Sequence, residues 1–327
     1  MTELRILSGA DVDDLLTYPR AIAAMREAMR DLSSGRAEAP LRGFIDRPAG
    51  AGSLGWMPAA AASGHATGIK LLTITPANPA RGLPAIQGCL MLFDSVSGAP
   101  AALMDGAAVT AIRTAAVSAL ASLTLASADC RSHGILGSGV QARSHALAML
   151  AAFPDLECTL IYGRNAAAVE SLVQDLRQST GRRIEVAQRE LCCACDLVSA
   201  VTSATEPLIF RSEVAAGAHV NLVGSHLPDA REACTDLIAA ARVFVDSRSA
   251  ALREAGDLVI PMREGRIDER HLCGELGDVL AGRSSGRRTT DDLTVYKSLG
   301  NAVQDLYAGR ALLAAAEAAG RGALVAL

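Results

Sequence analysis

Apolar positions near the start of the chain change period twice. From Ser8 to Leu32 they recur at helical spacing, at Leu15, Ile22, Met25, Met29 and Leu32. This predicts one helix, with Asp11 or Asp13 at its start and Ser33-Ser34-Gly35 at its end. Short apolar runs broken by Pro and Gly then predict strands at 40–45, 52–58, 66–74, 85–94 and 99–104. Links this short predict antiparallel pairing. Lys70 stands inside one of these runs, Gly68-Ile69-Lys70-Leu71-Leu72. An alanine-rich helix follows from Ala107 to about Ala128, with Asp105 or Thr110 as its cap and Arg113 within it. Its weakly polar part, 114–128, is too short to span a membrane and reads as a buried helix.

Beyond the polar hinge Asp129-Cys130-Arg131-Ser132 the pattern becomes strand–helix alternation. Strands are expected at 132–136, 158–163, 183–186, 197–202, 219–223 and 243–246, with helices at 143–152 and 166–178. Such alternation predicts a doubly wound parallel sheet. The stretch 294–319 reads as an alanine-rich helix, or a helix pair broken at Gly300. By composition it resembles the 107–128 helix, so it is expected to return to the first region.

Composition narrows the picture. With 327 residues, half of them apolar and 20% charged, the chain can fold as two domains with a sizeable core. The net charge of −4 and the lack of a basic stripe argue against nucleic acid as a partner. No apolar export segment follows Met1-Thr2-Glu3-Leu4-Arg5, so a cytoplasmic protein without a membrane partner is expected. Its eight cysteines then read as reduced thiols. Cys192-Cys193-Ala194-Cys195 has no second cysteine pair or histidines at ligand spacing, so no metal is expected there.

The candidate chemistry begins at Gly137-Ser138-Gly139-Val140-Gln141-Ala142, between the strand at 132–136 and the helix that follows. Gly137 suits a tight turn, Gly139 a close approach to pyrophosphate, and Ala142 helix-on-strand packing. The helix N-terminus offers N–H groups and positive potential to phosphates. A site for the unphosphorylated dinucleotide usually has a carboxylate at the end of the second strand. Here that strand ends Tyr162-Gly163-Arg164-Asn165. Arg164 can pair with a 2′-phosphate, which favours NADPH and leaves NADH open.

Several segments together resemble the ornithine cyclodeaminase/μ-crystallin family. They are Gly68-Ile69-Lys70, Gly82-Leu83-Pro84, Asp105-Gly106, Thr110-Ala111-Ile112-Arg113-Thr114-Ala115-Ala116, the glycine turn, Val223-Gly224-Ser225, Gly274-Glu275-Leu276-Gly277-Asp278-Val279 and Lys297-Ser298-Leu299-Gly300. The resemblance implies an α/β protein. Its Rossmann dinucleotide-binding domain would span 129–302. A discontinuous α+β substrate-binding and dimerisation domain would be made of 1–128 and 303–327. It also implies a homodimer, with the active site in a cleft between domains. Arg42, Lys70 and Arg113 would hold a substrate carboxylate. The cofactor would lie on Gly137, Ser138, Gly139, Val140, Gln141, Arg164, Asn165, Thr202, Val223, Gly224, Ser225 and Leu299.

Two positions depart from the deaminating members of the family. His226 stands where they carry a catalytic aspartate, and Gly55 where they tend to have an acid. A site without both acids is poorly suited to the second amino group of ornithine. The resemblance therefore implies NAD(P)H-dependent reduction of a cyclic imino acid, Δ1-pyrroline-2-carboxylate or its six-membered homologue, to L-proline or L-pipecolate. Lys70 and His226 would be the catalytic residues, with His226 as the acid. Dehydration of cis-3-hydroxy-L-proline, ornithine cyclodeaminase or alanine dehydrogenase activity, and a non-enzymatic NADP-binding role stay open as alternatives.

Overall fold

The computed structural model describes residues 3–62 and 66–327, so Met1 and Thr2 of the N-terminal run lie outside it. By backbone contacts the chain divides into two units. One comprises residues up to Arg113 together with those from Gly300 onward, and the other comprises Thr114–Leu299.

The first unit opens with β1 (Glu3–Leu7), α1 (Gly9–Leu15) and α2 (Tyr18–Ser33). The single helix expected over 8–32 is thus two. Pro19 lies in the first turn of α2. Its ring would clash with the carbonyl four residues back and it has no N–H to give, so one helix cannot run through it. The cap of α1 is Ser8, in a reciprocal capping box with Asp11. Then come β2 (Ala37–Glu38), β3 (Gly43–Asp46), β4 (Ser53–Ala61), β5 (Ala66–Ile74), β6 (Ile86–Asp94), β7 (Pro100–Asp105) and α3 (Gly106–Leu125). The cap of α3 is Asp105, which accepts from the N–H groups of Ala107 and Ala108, both at 2.9 Å. Along α3, Val109, Ala115–Val117 and Ala119–Ala121 are buried, as expected for an apolar core helix.

In the second unit, β8 (Ser132–Leu136), α4 (Val140–Ala152), β9 (Cys158–Tyr162), α5 (Ala166–Thr180), β10 (Ile184–Val186), α6 (Arg189–Cys193), β11 (Leu197–Ala200) and β12 (His219–Leu222) follow in order. After them come α7 (Thr235–Ala240), β13 (Arg242–Val245), α8 (Arg248–Glu254), α9 (Gly256–Arg263), β14 (Leu272–Glu275), α10 (Leu276–Leu280) and β15 (Thr294–Lys297). The order across the sheet is β10-β9-β8-β11-β12-β15-β13-β14, with parallel pairing throughout. This is the doubly wound architecture, and the strand order reverses between β8 and β11. Segment 294–297 is therefore not helical. Thr294-Val295-Tyr296-Lys297 is wholly buried between β12 and β13. A strand covered on both faces shows a continuous run rather than alternation, so its period does not distinguish it from a helix. Cys192, Cys193 and Cys195 are buried, with burial pushing each thiol up to about 12. No group of metal-ligating side chains occurs among the described residues.

The chain then re-enters the first unit as α11 (Ala302–Ala318) and β16 (Ala323–Ala326). That unit's sheet runs β16-β1-β7-β6-β5-β4-β2, with β3 on β4. Pairing is antiparallel except between β1 and β7, which run parallel. The α1–α2 segment and strands β2–β6 intervene between those two partners, so the short-link argument does not apply to them. Helix α11 packs on β4, β5, β6 and α2.

Close backbone approach sets one strict demand on the parallel sheet. A Cβ on Gly134 would stand 1.9 Å from the Cys192 carbonyl oxygen. Gly134→Ala should therefore cost about 1–3 kcal/mol by overpacking, read as a lower urea midpoint with an unchanged m value.

Candidate active site

Strand β5 pairs Lys70 with Met57 on β4 and with Leu90 on β6, and all three side chains are buried. A lysine at this register would be an isolated charge under α11 unless the helix supplied a counter-ion. It does so through Asp305, whose Oδ2 lies 2.7 Å from Lys70 Nζ. From α3, Arg113 donates Nε to Asp305 Oδ1 at 2.9 Å and Nη1 to the side-chain oxygen of Gln304 at 2.8 Å. Lys70 also donates to Thr110 Oγ1 at 3.2 Å. Arg42, ahead of β3, donates Nη2 to the Gly300 carbonyl at 3.2 Å. Gly300 has φ +74°, and a Cβ there would lie 2.7 Å from Arg113 Nη1. The bend into α11 thus needs glycine both for its torsion and for the guanidinium beside it.

The electrostatics follow from burial. Desolvation pushes Lys70 down to about 8 from 10.5; Asp305 opposes the fall, and Arg113 and Arg42 deepen it. Burial alone would raise Asp305, but Arg113 and Lys70 outweigh it and hold the carboxyl below its usual range. The structure thus brings Lys70 and Arg113 together on one carboxylate, with Arg42 close by. An anionic ligand is the natural complement of two buried cations that share a single carboxylate.

Asp305, Gln304, Thr110 and Gly300 were not assigned from sequence. The available signal was a polar pair, Gln304-Asp305, within an otherwise apolar helical run. Gly55 lies on β4 opposite Phe44, and a Cβ there would come within 2.7 Å of the Phe44 ring and 3.3 Å of Leu72. A side chain at that position would have to displace the half-exposed Phe44 ring.

In the second unit the glycine turn links β8 to α4. Gly137 has φ +128°, and a Cβ would meet the Val201 carbonyl at 2.9 Å. Its N–H donates to the Tyr162 carbonyl at 2.8 Å, tying the turn to the end of β9. Gly139 caps α4 without a side-chain hydrogen bond, and the position of its missing Cβ is open space. First-turn N–H groups beside an empty Cβ position form a cradle that a pyrophosphate fits. Val140 is exposed, Ser138 and Gln141 are half-buried, and Arg164 is exposed just past the end of β9. The side chain of Asn165 caps α5 by accepting from Ala168 N–H at 3.2 Å.

The remaining expected cofactor residues follow β11, β12 and β15. Thr202 and Gly224 are half-buried, and Val223 donates its N–H to the Ala200 carbonyl at 2.9 Å. Ser225 is buried and donates its hydroxyl to the Ala230 carbonyl. The Leu299 side chain belongs to the unit's apolar core, and its N–H donates to Asp246 at 3.0 Å. His226 is exposed, with Nδ1 3.5 Å from the Gly224 carbonyl oxygen.

The doubly wound unit with its phosphate cradle defines the class: a dinucleotide-binding α/β protein. The chain belongs to the ornithine cyclodeaminase/mu-crystallin family, whose pattern it matches over residues 2–319. It is similar to the Delta(1)-pyrroline-2-carboxylate reductase of Bacillus thuringiensis subsp. konkukian (strain 97-27), 32% identical over 97% of this chain and 98% of that one. The ketimine reductase mu-crystallin of Mus musculus is 34% identical over 93% of this chain and 95% of that one. Among solved structures, Thermococcus litoralis Delta(1)-pyrroline-2-carboxylate reductase in complex with NADH and L-proline has a TM-score of 0.93 at 32% identity. That match covers 98% of this chain and 100% of that one.

Asp305→Asn leaves two buried cations without a counter-charge. It should cost about 3–5 kcal/mol at pH 7, measured by urea unfolding, and the added substitution Lys70→Met should recover part of the loss.

Proposed function

We propose that this protein reduces a cyclic imine carboxylate, Δ1-pyrroline-2-carboxylate or its six-membered homologue, to the corresponding cyclic amino acid with NAD(P)H. The observation that carries the reading is the cation cluster organised by Asp305. Arg113 gives Nε and Nη1 to Asp305 and Gln304, and Nη2 remains for a substrate carboxylate. Lys70 adds a point charge, and Arg42 a second planar donor. The crowding at Gly55 and the histidine at 226 supply no acid for a second amino group, which favours an imino acid over a diamino acid.

Fixing the carboxylate fixes the C=N carbon beside it, to which a reduced nicotinamide dinucleotide held at the Gly137–Gln141 cradle would supply a hydride. The imine nitrogen, which gains the C=N π pair on reduction, must carry a proton. The ring of His226 is the group we assign to deliver it, either directly or by orienting a water, because an imidazole exchanges protons near neutrality. Lys70 serves in its charged form. The family likeness and the cradle at Gly137–Gln141 support the dinucleotide, and Arg164 supports NADPH over NADH. Thr202, Val223, Gly224, Ser225 and Leu299 follow the strand ends and would line the cofactor's path there, with the Ser225 and Leu299 side chains engaged inside the unit.

A homodimer fits the outer face of the antiparallel sheet. Ile45 and Leu54 are paired across β3 and β4, and Leu71 on β5 pairs with Trp56. Ile45, Leu54 and Leu71 are exposed, and a contiguous apolar face of this kind favours association. The eight cysteines are all unpaired, which suits a reducing cytoplasm.

The direct test is oxidation of NADPH and NADH with the five- and six-membered imines. Loss of nicotinamide absorbance with neither imine would sink the proposal. Pyrroline-2-carboxylate formed from cis-3-hydroxy-L-proline without cofactor consumption would replace it with a dehydratase. Arg113→Lys and Lys70→Met should each lower kcat/KM by about 10²-fold, from the loss of a charge-assisted contact of ~1.5–3 kcal/mol. His226→Asn should lower kcat more than it raises KM.

The pH dependence has a definite sign. Lys70 loses its proton as pH rises through about 8 in the free protein. The wild-type kcat/KM should therefore fall on the alkaline side with an apparent pKa near that value, and Lys70→Met should remove this limb. An unchanged limb in the variant would mean another group titrates. For stability, the folded pKa lies below the unfolded 10.5, so the unfolded chain holds more protons between about 8 and 10.5. The penalty for burying the Lys70 ammonium is full below that window and is relieved as pH rises through it.

A further inference from the structure

A second buried charge network lies in the doubly wound unit. Glu232, ahead of α7, is fully buried. Its Oε1 accepts from Thr202 N–H at 2.8 Å and Thr202 Oγ1 at 2.7 Å. Its Oε2 accepts from Gly224 N–H at 2.8 Å and Ser225 N–H at 3.3 Å. One carboxylate thus bridges the segments leaving the C-terminal ends of β11 and β12. Glu232 is held in turn by Asp257, whose Oδ1 accepts from Glu232 N–H at 2.7 Å and Ala233 N–H at 3.0 Å. Lys297 Nζ lies 2.9 Å from Asp257 Oδ2 and donates to the Ser225 carbonyl. All three charged side chains are buried completely.

Such a network is no more stabilising than apolar side chains of the same volume. What it supplies is directionality. Four donors converge on Glu232 and set the spacing of two chain segments. A Cβ on Gly224 would stand 2.0 Å from the Thr202 carbonyl oxygen and 2.6 Å from Glu232 Oε1, so the segments meet backbone to backbone. In a doubly wound sheet the dinucleotide lies across the carboxyl ends of the strands. Its adenosine half lies on the side of the second strand and its nicotinamide half on the other side of the order reversal. Here Arg164 follows the end of β9, and β11 and β12 lie beyond the reversal.

We propose that Glu232 is a positioning residue for the nicotinamide half of the cofactor, holding the Thr202 and Gly224–His226 segments at the separation that half requires. The glycine turn takes none of the hydrogen bonds Glu232 accepts, so the pyrophosphate and adenosine end binds independently of it. The inference rests on the dinucleotide reading but not on the identity of the imine.

Calorimetric titration of the full chain separates the two ends of the cofactor, using NADH and NADPH against ADP-ribose and its 2′-phosphate. Glu232→Gln keeps the size but replaces one acceptor oxygen with a donor. It should weaken nicotinamide dinucleotide binding about tenfold or more, as expected when buried donors lose their acceptor. Binding of the ADP-ribose compounds should stay within about twofold, since their contacts lie outside the network. Equal weakening of both ligand classes, or no weakening of either, overturns the proposal, as does wild-type protein that binds neither. Should Glu232→Gln fail to fold, Thr202→Val removes one of the four bonds. It should then weaken NADH binding about threefold with ADP-ribose unchanged, and an unchanged NADH affinity overturns the proposal. No imine is present in these titrations, so a wild-type enzyme that reduces no imine defeats the reductase reading alone.

Discussion

Lys70 and Arg113 are two buried cations that no neighbour on their own strand or helix neutralises. Each would be untenable in an alanine-rich interior on its own, because the cost of an isolated buried charge exceeds what a domain can absorb. Asp305 resolves both at once, with one oxygen toward each. That arrangement explains why the chain end must return to the first unit. Helix α11 is the cover of the antiparallel sheet and also the source of the only carboxylate paired with either cation among the described residues. Gly300 allows the sharp bend into that helix while leaving room for Arg113.

The same logic operates in the doubly wound unit with the signs reversed. There Glu232 and Asp257 are the buried anions, and Lys297 and a row of N–H groups complete them. In both units a buried carboxylate fixes groups that neighbouring elements present. Asp305 fixes the two cations Lys70 and Arg113, and Glu232 fixes the Thr202 and Gly224–Ser225 segments. Burial gives these contacts their strength, since screening by water is absent. It also displaces the Lys70 proton toward the pH range in which an enzyme works.

Departures from the deaminating members have a structural counterpart. At Gly55 a side chain would meet the half-exposed Phe44 ring within 2.7 Å and would have to push it aside. His226, the other departure, is exposed, with Nδ1 3.5 Å from the Gly224 carbonyl oxygen.

Much of this was legible in the chain itself. The strand at 66–74, the glycine turn with its flanking strand and helix, and the alternation that makes a parallel sheet all follow from local period and turn chemistry. So do Lys70 and Arg113, because a charge inside an apolar run demands an explanation. Local pattern failed where two local readings were equally good. Thr294–Lys297 is apolar enough to be helix or strand, and only its place between β12 and β13 decides it. The region 8–32 keeps helical spacing through Pro19, and only the steric demand of the proline ring splits it. Asp305 as the partner of residues 192 and 235 positions earlier, and Glu232 as the bridge between Thr202 and Gly224, are relations between distant segments. One-dimensional spacing carries no information about such pairs. They were decided when tertiary packing excluded water and brought each buried carboxylate and its partners from distant segments together.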